Sequence, residues 1–185
     1  MKKETVYTLI VIAFVLSFFV TPLGYYSKVW LNTIFSFSPT EVATEERQTL
    51  SNYEWKLKDE NWGFFNFNRS MGKVVFINFW ASWRLQCEAE LKGIQTLYDT
   101  YGDRVDFYIV TNEERPPVEK YMARTGFTFP VTYLIIGKPA PLETQPVPSS
   151  YIIDKNGMVV IRTNGIKDWD NKTVQDLLDR LIAEE

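Results

Sequence analysis

The chain has 185 residues, of which 45% are hydrophobic and 16% aromatic, so it can fill a core and disorder is not expected. A net charge of −3 at pH 7 provides no basic face, so no nucleic-acid partner is expected. The chain has no histidine and a single cysteine, Cys87. This excludes histidine acid–base pairs, most zinc sites and an intrachain disulfide, and no metal or cofactor is predicted.

The N-terminal segment predicts one membrane-spanning helix. Residues 5–27 carry no charge, residues 6–20 are strongly apolar, and 23 helical residues would extend about 34 Å, enough for a bilayer core. A cleaved signal peptide is the alternative, but no clear small-x-small cleavage site follows the apolar run. An uncleaved signal anchor within residues 1–35 is therefore favoured, with Pro22 and Gly24 ending its straight part. Aromatic side chains suited to the membrane interface follow at Tyr25, Tyr26 and Trp30.

The charges at the two ends of this segment predict its orientation. Lys2 and Lys3 precede it, whereas Glu41, Glu45 and Glu46 follow it. Short positively charged flanks stay in the cytoplasm, so the C-terminal bulk should be translocated. We therefore expect a single-pass protein of the bacterial inner (cytoplasmic) membrane whose C-terminal domain faces the periplasm or the outside. A lone thiol is unusual in such an oxidising compartment.

The part after the anchor divides into a linker and one domain. Residues 36–50 are polar and acidic without a clear period, which favours a linker, and the domain is expected over residues 51–185. Alternation in residues 53–57 and the aromatic run in residues 64–67 predict a β-hairpin. The dense apolar run in residues 73–80 is typical of a strand that is buried on both faces.

Helices and strands then alternate along the chain. A helix with one apolar side follows Trp83 and ends at Gly102, and residues 105–111 predict another buried strand. A shorter helix opens at Pro116 and Pro117 and stops at Gly126. Residues 129–136 then favour a strand or an extended segment.

The C-terminal part predicts a hairpin and a final helix. A proline-rich loop over residues 137–148 leads to two strands that flank the turn Asn156-Gly157. An amphipathic helix then starts at Asp170 or Asn171 as its N-cap. The early alternation of strand and helix requires parallel pairing, and the hairpin requires an antiparallel edge. The sequence therefore predicts an α/β fold with a mixed sheet sandwiched by helices.

Several stretches within residues 50–185 match a known family in order and spacing. They are residues 72–83 (GKVVFINFWASW), residues 87–91 (CEAEL) and residues 147–157 (VPSSYIIDKNG). With them the chain resembles the TlpA/ResA-like branch of the thioredoxin superfamily, which comprises membrane-anchored thiol–disulfide oxidoreductases on the outer side of the bacterial membrane. The resemblance implies a thioredoxin-like mixed sheet with an N-terminal β-hairpin extension.

The resemblance also implies a W-C-x-x-C motif, of which this chain keeps the second cysteine alone. In such a motif the first cysteine lies at a helix N-terminus, which stabilises the thiolate that attacks a substrate disulfide. The second cysteine, one turn deeper, resolves the mixed disulfide. Here Arg84 occupies the first position and cannot act as a nucleophile, whereas Cys87 occupies the resolving position.

Cys87 is therefore the candidate catalytic residue, with the buried, unreactive thiol and raised pKa expected at the resolving position. Its structural alternative is a small buried hydrophobic side chain. Two readings also apply to Arg84. It captures an anion or an acidic partner in the former active-site groove, or it reflects drift after the loss of catalysis.

The same resemblance assigns the remaining site residues. Substrate-binding positions fall on Trp83, Arg84, Val147 and Pro148. Pro148 aligns with the family's cis-proline, whose loop faces the redox site and binds extended substrate backbone.

Two polar residues near the motif complete the expectations. Glu90, three residues after Cys87, is expected to be a solvated or first-turn charge rather than a catalytic base. Asn78 stands where other thioredoxin-like proteins carry a buried acid, so no proton acceptor for Cys87 is evident.

Three functions remain open at this point. The first is a degenerate thioredoxin-fold module that binds a peptide or protein partner in the groove between Trp83 and Pro148. The second is a redox protein that forms a mixed disulfide through Cys87 alone, in a redox-homeostasis role. The third is a structural role near the membrane. Turnover that needs two cysteines is excluded by the cysteine count.

Overall fold

The computed structural model describes residues 3–20, 22–34, 36–50, 52–135, 141–142 and 146–184, and for residues 17–20, 22, 23, 25 and 32–34 it describes the backbone alone. The strands are β1 (Lys56–Lys58), β2 (Phe64–Asn66), β3 (Val75–Phe79), β4 (Asp106–Thr111), β5 (Val131–Leu134), β6 (Ser149–Ile153) and β7 (Val159–Asn164). The α-helices are α1 (Lys3–Val20), α2 (Pro22–Ile34), α3 (Leu85–Tyr101), α4 (Arg115–Thr125) and α5 (Lys172–Ala183).

The strands form one mixed sheet in the order β2-β1-β5-β4-β3-β6-β7. β3 pairs in parallel with β4, and β4 with β5, because α3 and α4 supply the crossovers that parallel neighbours need. β1 and β2 form the antiparallel hairpin that the sequence predicts, and so do β6 and β7. Of the two residues predicted as N-cap of the last helix, Asp170 and Asn171, it is Asn171 whose side chain accepts a hydrogen bond from the backbone N–H of Val174. Most of the predicted proline-rich loop lies outside the described residues.

The two faces of the sheet are covered differently. Successive residues of a strand point to opposite faces, so Phe76 belongs to one core cluster and Val75 and Ile77 to the other. The buried side chains of α4 and α5, and most of those of α3, lie in the cluster with Phe76. The other cluster is completed by extended residues and a short 3₁₀ turn at Phe67–Ser70. For the described residues, the prediction of a sheet sandwiched by helices is therefore wrong.

α3 and α4 lie on the same face of the sheet because of the direction in which the chain crosses it. The chain moves from β3 to β4 and then to β5 in the same direction across the sheet. Right-handed connections that move in the same direction place their helices on the same face. The periodicity of a single helix does not contain this information.

The N-terminal segment is helical over its described residues 3–20 (α1) and 22–34 (α2). Among the residues that the structure describes, none of the helices combines the length and the apolar character needed to cross a membrane. Residues 1, 2, 21 and 35 of the predicted anchor lie outside the described residues.

The segment read as a linker, residues 36–50, is bound to the domain. The backbone N–H of Val42 donates to the carbonyl of Val160 (2.8 Å), and that of Leu50 donates to the carbonyl of Gly157 (2.9 Å). Arg180 of α5 forms an ion pair with Glu41 (2.6 Å). The segment therefore follows the outer edge of β7.

Candidate functional site

The predicted site residues lie at one end of the central strands. Phe79 at the end of β3 pairs with Ser149 at the start of β6, so the residues that follow Phe79 and precede Ser149 share this edge of the sheet. The Val147–Pro148 peptide bond is cis, at the position that the resemblance assigns to a cis-proline. Pro148 is buried and its carbonyl accepts a hydrogen bond from the N–H of Gly165 (2.9 Å), whereas Val147 is half-buried against both core clusters.

Trp83 and Arg84 lie side by side just before α3, Trp83 exposed and Arg84 half-buried. The Trp83 side chain is 70% exposed, and the Arg84 guanidinium carbon lies 5.7 Å from the centroid of its ring, within the range of a cation–π contact. Arg84 is the N-cap of α3, but its side chain makes no capping hydrogen bond because it carries donors alone. The positive charge of Arg84 therefore lies beside the exposed indole.

Cys87 lies one turn inside α3 and is completely buried, 0% exposed. It belongs to the same apolar cluster as Trp80 and Leu91. Burial raises the pKa of its thiol to about 12, against weaker lowering by a hydrogen bond from the Ala81 backbone and by the charge of Arg84. A thiol in this state is not a nucleophile near neutral pH, which agrees with the buried resolving position expected from the sequence.

Glu90 is not the solvated charge that the sequence predicts. The side chain is 1% exposed and accepts two hydrogen bonds, from the indole Nε1 of Trp169 (2.7 Å) and from Nδ2 of Asn78 (3.1 Å). Burial raises the pKa of its carboxyl to about 7, although these hydrogen bonds and Lys167 lower it. The helix turns Glu90 inward because it lies three residues after Cys87 on the same buried face.

Asn78 connects this carboxylate to β6. Its Nδ2 also donates to the hydroxyl of Ser150 (2.9 Å), so one amide group bridges α3 and the neighbouring strand. Within the described residues, the buried Oδ1 of Asn78 and the hydroxyl of Ser149 have no hydrogen-bond partner. The charge of Glu90 is one of the causes that raise the pKa of the Cys87 thiol, so a carboxyl lies near this cysteine, and the expectation that no proton acceptor for Cys87 is evident stays a prediction.

Glu113 holds the loop that leads to α3 and was missed by sequence reasoning. Its carboxylate accepts hydrogen bonds from the backbone N–H of Ser82 (2.5 Å) and from the Ser82 hydroxyl (2.7 Å). The residue comes two positions after β4, whose end lies beside the end of β3 in a parallel pair. A carboxylate just beyond a parallel strand was the available signal, because such ends meet at one edge of the sheet.

The acidic side chains do not assemble into a metal site. In the described parts of the chain, no three Cys, Asp or Glu side chains are grouped so that they could hold a metal ion. The site thus offers an exposed aromatic ring, one cation, a cis-proline loop and a buried thiol–carboxyl pair.

Comparison with known proteins places this site in a family. The profile of the AhpC/TSA family matches residues 51–162, which include β1 to β6 and the predicted site residues Trp83, Arg84, Cys87, Val147 and Pro148. A structure of a thiol:disulfide interchange protein of the thioredoxin family from Chlorobium tepidum TLS superposes with a TM-score of 0.57 at 20% identity, over 74% of this chain and 98% of that one. The fold is therefore thioredoxin-like.

Two relatives are named as thiol-disulfide oxidoreductases. The thiol-disulfide oxidoreductase ResA of Geobacillus thermodenitrificans is 37% identical over 93 residues, which cover 48% of this chain and 52% of the relative. The thiol-disulfide oxidoreductase ResA of Bacillus cereus (strain ATCC 10987) is 28% identical over 180 residues, which cover 89% of this chain and 91% of the relative. The more similar alignment thus spans about half the length of the relative.

Proposed function

Since the chain belongs to the AhpC/TSA family and has a thioredoxin-like fold, we propose that it is a membrane-anchored binding module for an extended peptide or protein partner. In this proposal it does not catalyse thiol–disulfide exchange, although its relatives are named for that activity. One observation carries the proposal. Arg84 occupies the place of the attacking sulfur, and the remaining thiol is completely buried with a pKa of about 12.

The surface around the former redox motif supports partner binding. Trp83 offers an exposed aromatic face, Arg84 offers a cation, and the loop at Val147–Pro148 lies at the same edge of the sheet. Exposed tryptophan and arginine are the residue types that most often dominate binding energies at interfaces. The cation favours a partner segment that carries a carboxylate near its aromatic or apolar side chains.

The N-terminal helix supports membrane anchorage. Apolar side chains of α1 are exposed on every side of the helix, among them Leu9, Ile10 and Phe14. A helix that is apolar all round is stable when its surroundings are apolar as well. With lysines before this helix and acidic residues after it, we expect the domain to face the periplasm or the outside.

A second candidate function is a redox protein that uses Cys87 alone. The observation in its favour is the hydrogen bond from the Ala81 backbone to the thiol, which lowers its pKa and would stabilise a thiolate. This function requires Cys87 to become accessible to a partner disulfide. The two candidates therefore differ in whether partner binding depends on the sulfur.

A binding experiment separates them. The full-length protein in detergent is titrated with a fluorescent, reduced and carboxymethylated polypeptide, which offers extended backbone and acidic groups but no disulfide. Trp83→Ala should weaken binding about tenfold, equivalent to about 1.4 kcal/mol, whereas Cys87→Ala should leave it unchanged. Trp62→Ala on the hairpin is the matched control, because Trp62 is also an exposed tryptophan. Equal effects at Trp83 and Trp62 would contradict the proposed surface.

The same variants test the alternative. A polypeptide carrying an intact disulfide should form no adduct with the wild-type protein if the module acts by binding alone. An adduct that dithiothreitol releases and that Cys87→Ala abolishes would establish the single-thiol function instead.

A further inference from the structure

α2 joins the apolar N-terminal helix to the sheet domain and has two different sides. It begins at Pro22, two positions after the last described residue of α1, and it lies against α3, the helix that carries Cys87. Val29 is completely buried on one side, whereas Trp30 and Leu31 are 63% and 41% exposed. The helix is therefore fixed to the domain by one side while the other presents large apolar groups to the surroundings.

A further exposed aromatic side chain follows α2 and is held by the domain. Phe37 is 74% exposed, yet its backbone is paired with Lys167 and its carbonyl accepts a hydrogen bond from the N–H of Asp168 (3.1 Å). Its position is thus set by the same body against which α2 packs. We call Trp30, Leu31 and Phe37 the apolar strip, because three large exposed apolar side chains lie within eight residues of the chain, and such a concentration is a candidate interaction surface.

Continuity with α1 identifies what covers the apolar strip. The exposed apolar side chains of α1 are described as far as Leu16, and its helical backbone continues to Val20, two positions before α2 begins at Pro22, so whatever surrounds α1 also lies next to α2. Tryptophan prefers the membrane–water interface, where its ring contacts acyl chains and its N–H remains hydrogen-bonded. A short helix with an apolar face lies in that interface with the face buried about 5–10 Å.

We propose that α2 lies in the interfacial layer of the bilayer, with the apolar strip among the lipid headgroups and the adjoining acyl chains. The occupant of this surface is the phospholipid bilayer, and the inference rests on the proposed anchorage through α1. The contact between α2 and α3 then holds the whole sheet domain against the membrane surface.

This placement restricts the partner. α3 has 17 residues, so the Trp83–Arg84 surface at its N-terminus lies within about 25 Å of α2 along the helix. The site is thereby kept close to the lipid headgroups. The partner class that fits is the extended segment of another membrane-attached protein just outside the bilayer.

Depth-resolved quenching tests the inference on the full-length chain. In a Cys87→Ala background, the variants Trp30→Cys, Leu31→Cys, Leu9→Cys and Lys172→Cys are labelled with an environment-sensitive dye and reconstituted into phosphatidylcholine–phosphatidylglycerol vesicles. Nitroxides placed at the headgroup or at the centre of the acyl chains report the depth. Lys172 is the control, because it is a highly exposed helix residue on α5.

The outcomes separate this inference from anchorage itself. The interfacial helix is supported if the headgroup nitroxide is the main quencher of the dye at Trp30→Cys or Leu31→Cys. In the same experiment the deep nitroxide should quench the dye at Leu9→Cys, and neither nitroxide should quench it at Lys172→Cys. Deep quenching at Leu9→Cys with none at positions 30 and 31 overturns it but leaves anchorage intact. Absence of quenching at Leu9→Cys overturns both.

Discussion

Replacing Glu90 with glutamine keeps the shape of the side chain and removes its charge. In the structure the carboxylate accepts from Trp169 and Asn78, and the Oδ1 atom of Asn78 has no partner. A glutamine can accept from Trp169 through Oε1 and donate through Nε2 to Oδ1 of a rotated Asn78 amide. The neutral side chain therefore has partners for both of its polar atoms, and we expect Glu90→Gln to fold normally.

The expected effect on stability follows from the pKa of Glu90. Its pKa is raised from 4.5 to about 7 in the folded protein, mainly by burial, so the folded state binds the proton more tightly than the unfolded chain. The contribution to stability is complete below pH 4.5 and is lost as the pH rises through about 7. At about 1.4 kcal/mol per pH unit, the loss amounts to about 3 kcal/mol.

Urea unfolding of the full-length protein in detergent, followed by tryptophan fluorescence between pH 5 and pH 8, measures this loss. Wild type should lose about 2–3 kcal/mol more over this range than Glu90→Gln, and the variant should be the more stable protein at pH 8. The control is Glu60→Gln, at an exposed carboxylate, which should keep the wild-type pH dependence. Identical pH dependence in Glu90→Gln and wild type would refute the reasoning.

Three further predictions concern neighbouring residues. Cys87→Ala should lower the free energy of unfolding, measured by chemical denaturation, by about 1 kcal/mol, and Cys87→Ser should lower it by about 2 kcal/mol, because the serine hydroxyl would be polar in an apolar cluster. A serine variant more stable than the alanine variant would contradict the buried-thiol account. Glu113→Ala should cost about 1–3 kcal/mol and speed hydrogen exchange at the Ser82 amide, while unchanged exchange would mean that Glu113 does not hold this loop. Trp169→Phe removes a hydrogen-bond donor to Glu90, so the pKa of Glu90 should rise and the pH-dependent loss of stability should extend to higher pH than in wild type. A loss of stability that ends at the same or a lower pH would argue against this hydrogen bond.

Local patterns predict most of the elements in this fold. The apolar run that became β3, the turn at Asn156-Gly157 and the cap at Asn171 each depend on residues near one another in the chain. The structure places these elements within a few residues of the expected positions. Local sequence is sufficient here because backbone hydrogen bonding and side-chain periodicity are local properties.

The features that sequence reasoning missed depend on distant residues. Glu90 is buried because Trp169, 79 positions later, donates to it, and a helix pattern around Glu90 cannot reveal that donor. The bond between Glu113 and Ser82 likewise joins residues 31 positions apart. The placement of three helices on one face required the strand order, which becomes known when the whole sheet is assembled.

Titration of the native thiol tests the central claim most directly. Cys87 is buried with a pKa of about 12, so about one molecule in ten thousand carries the thiolate at pH 8. We predict that a chromogenic disulfide reagent releases no product from the folded full-length protein on a timescale of minutes, and one equivalent after denaturation. Stoichiometric release from the folded protein within seconds would show an accessible, activated sulfur and contradict the account.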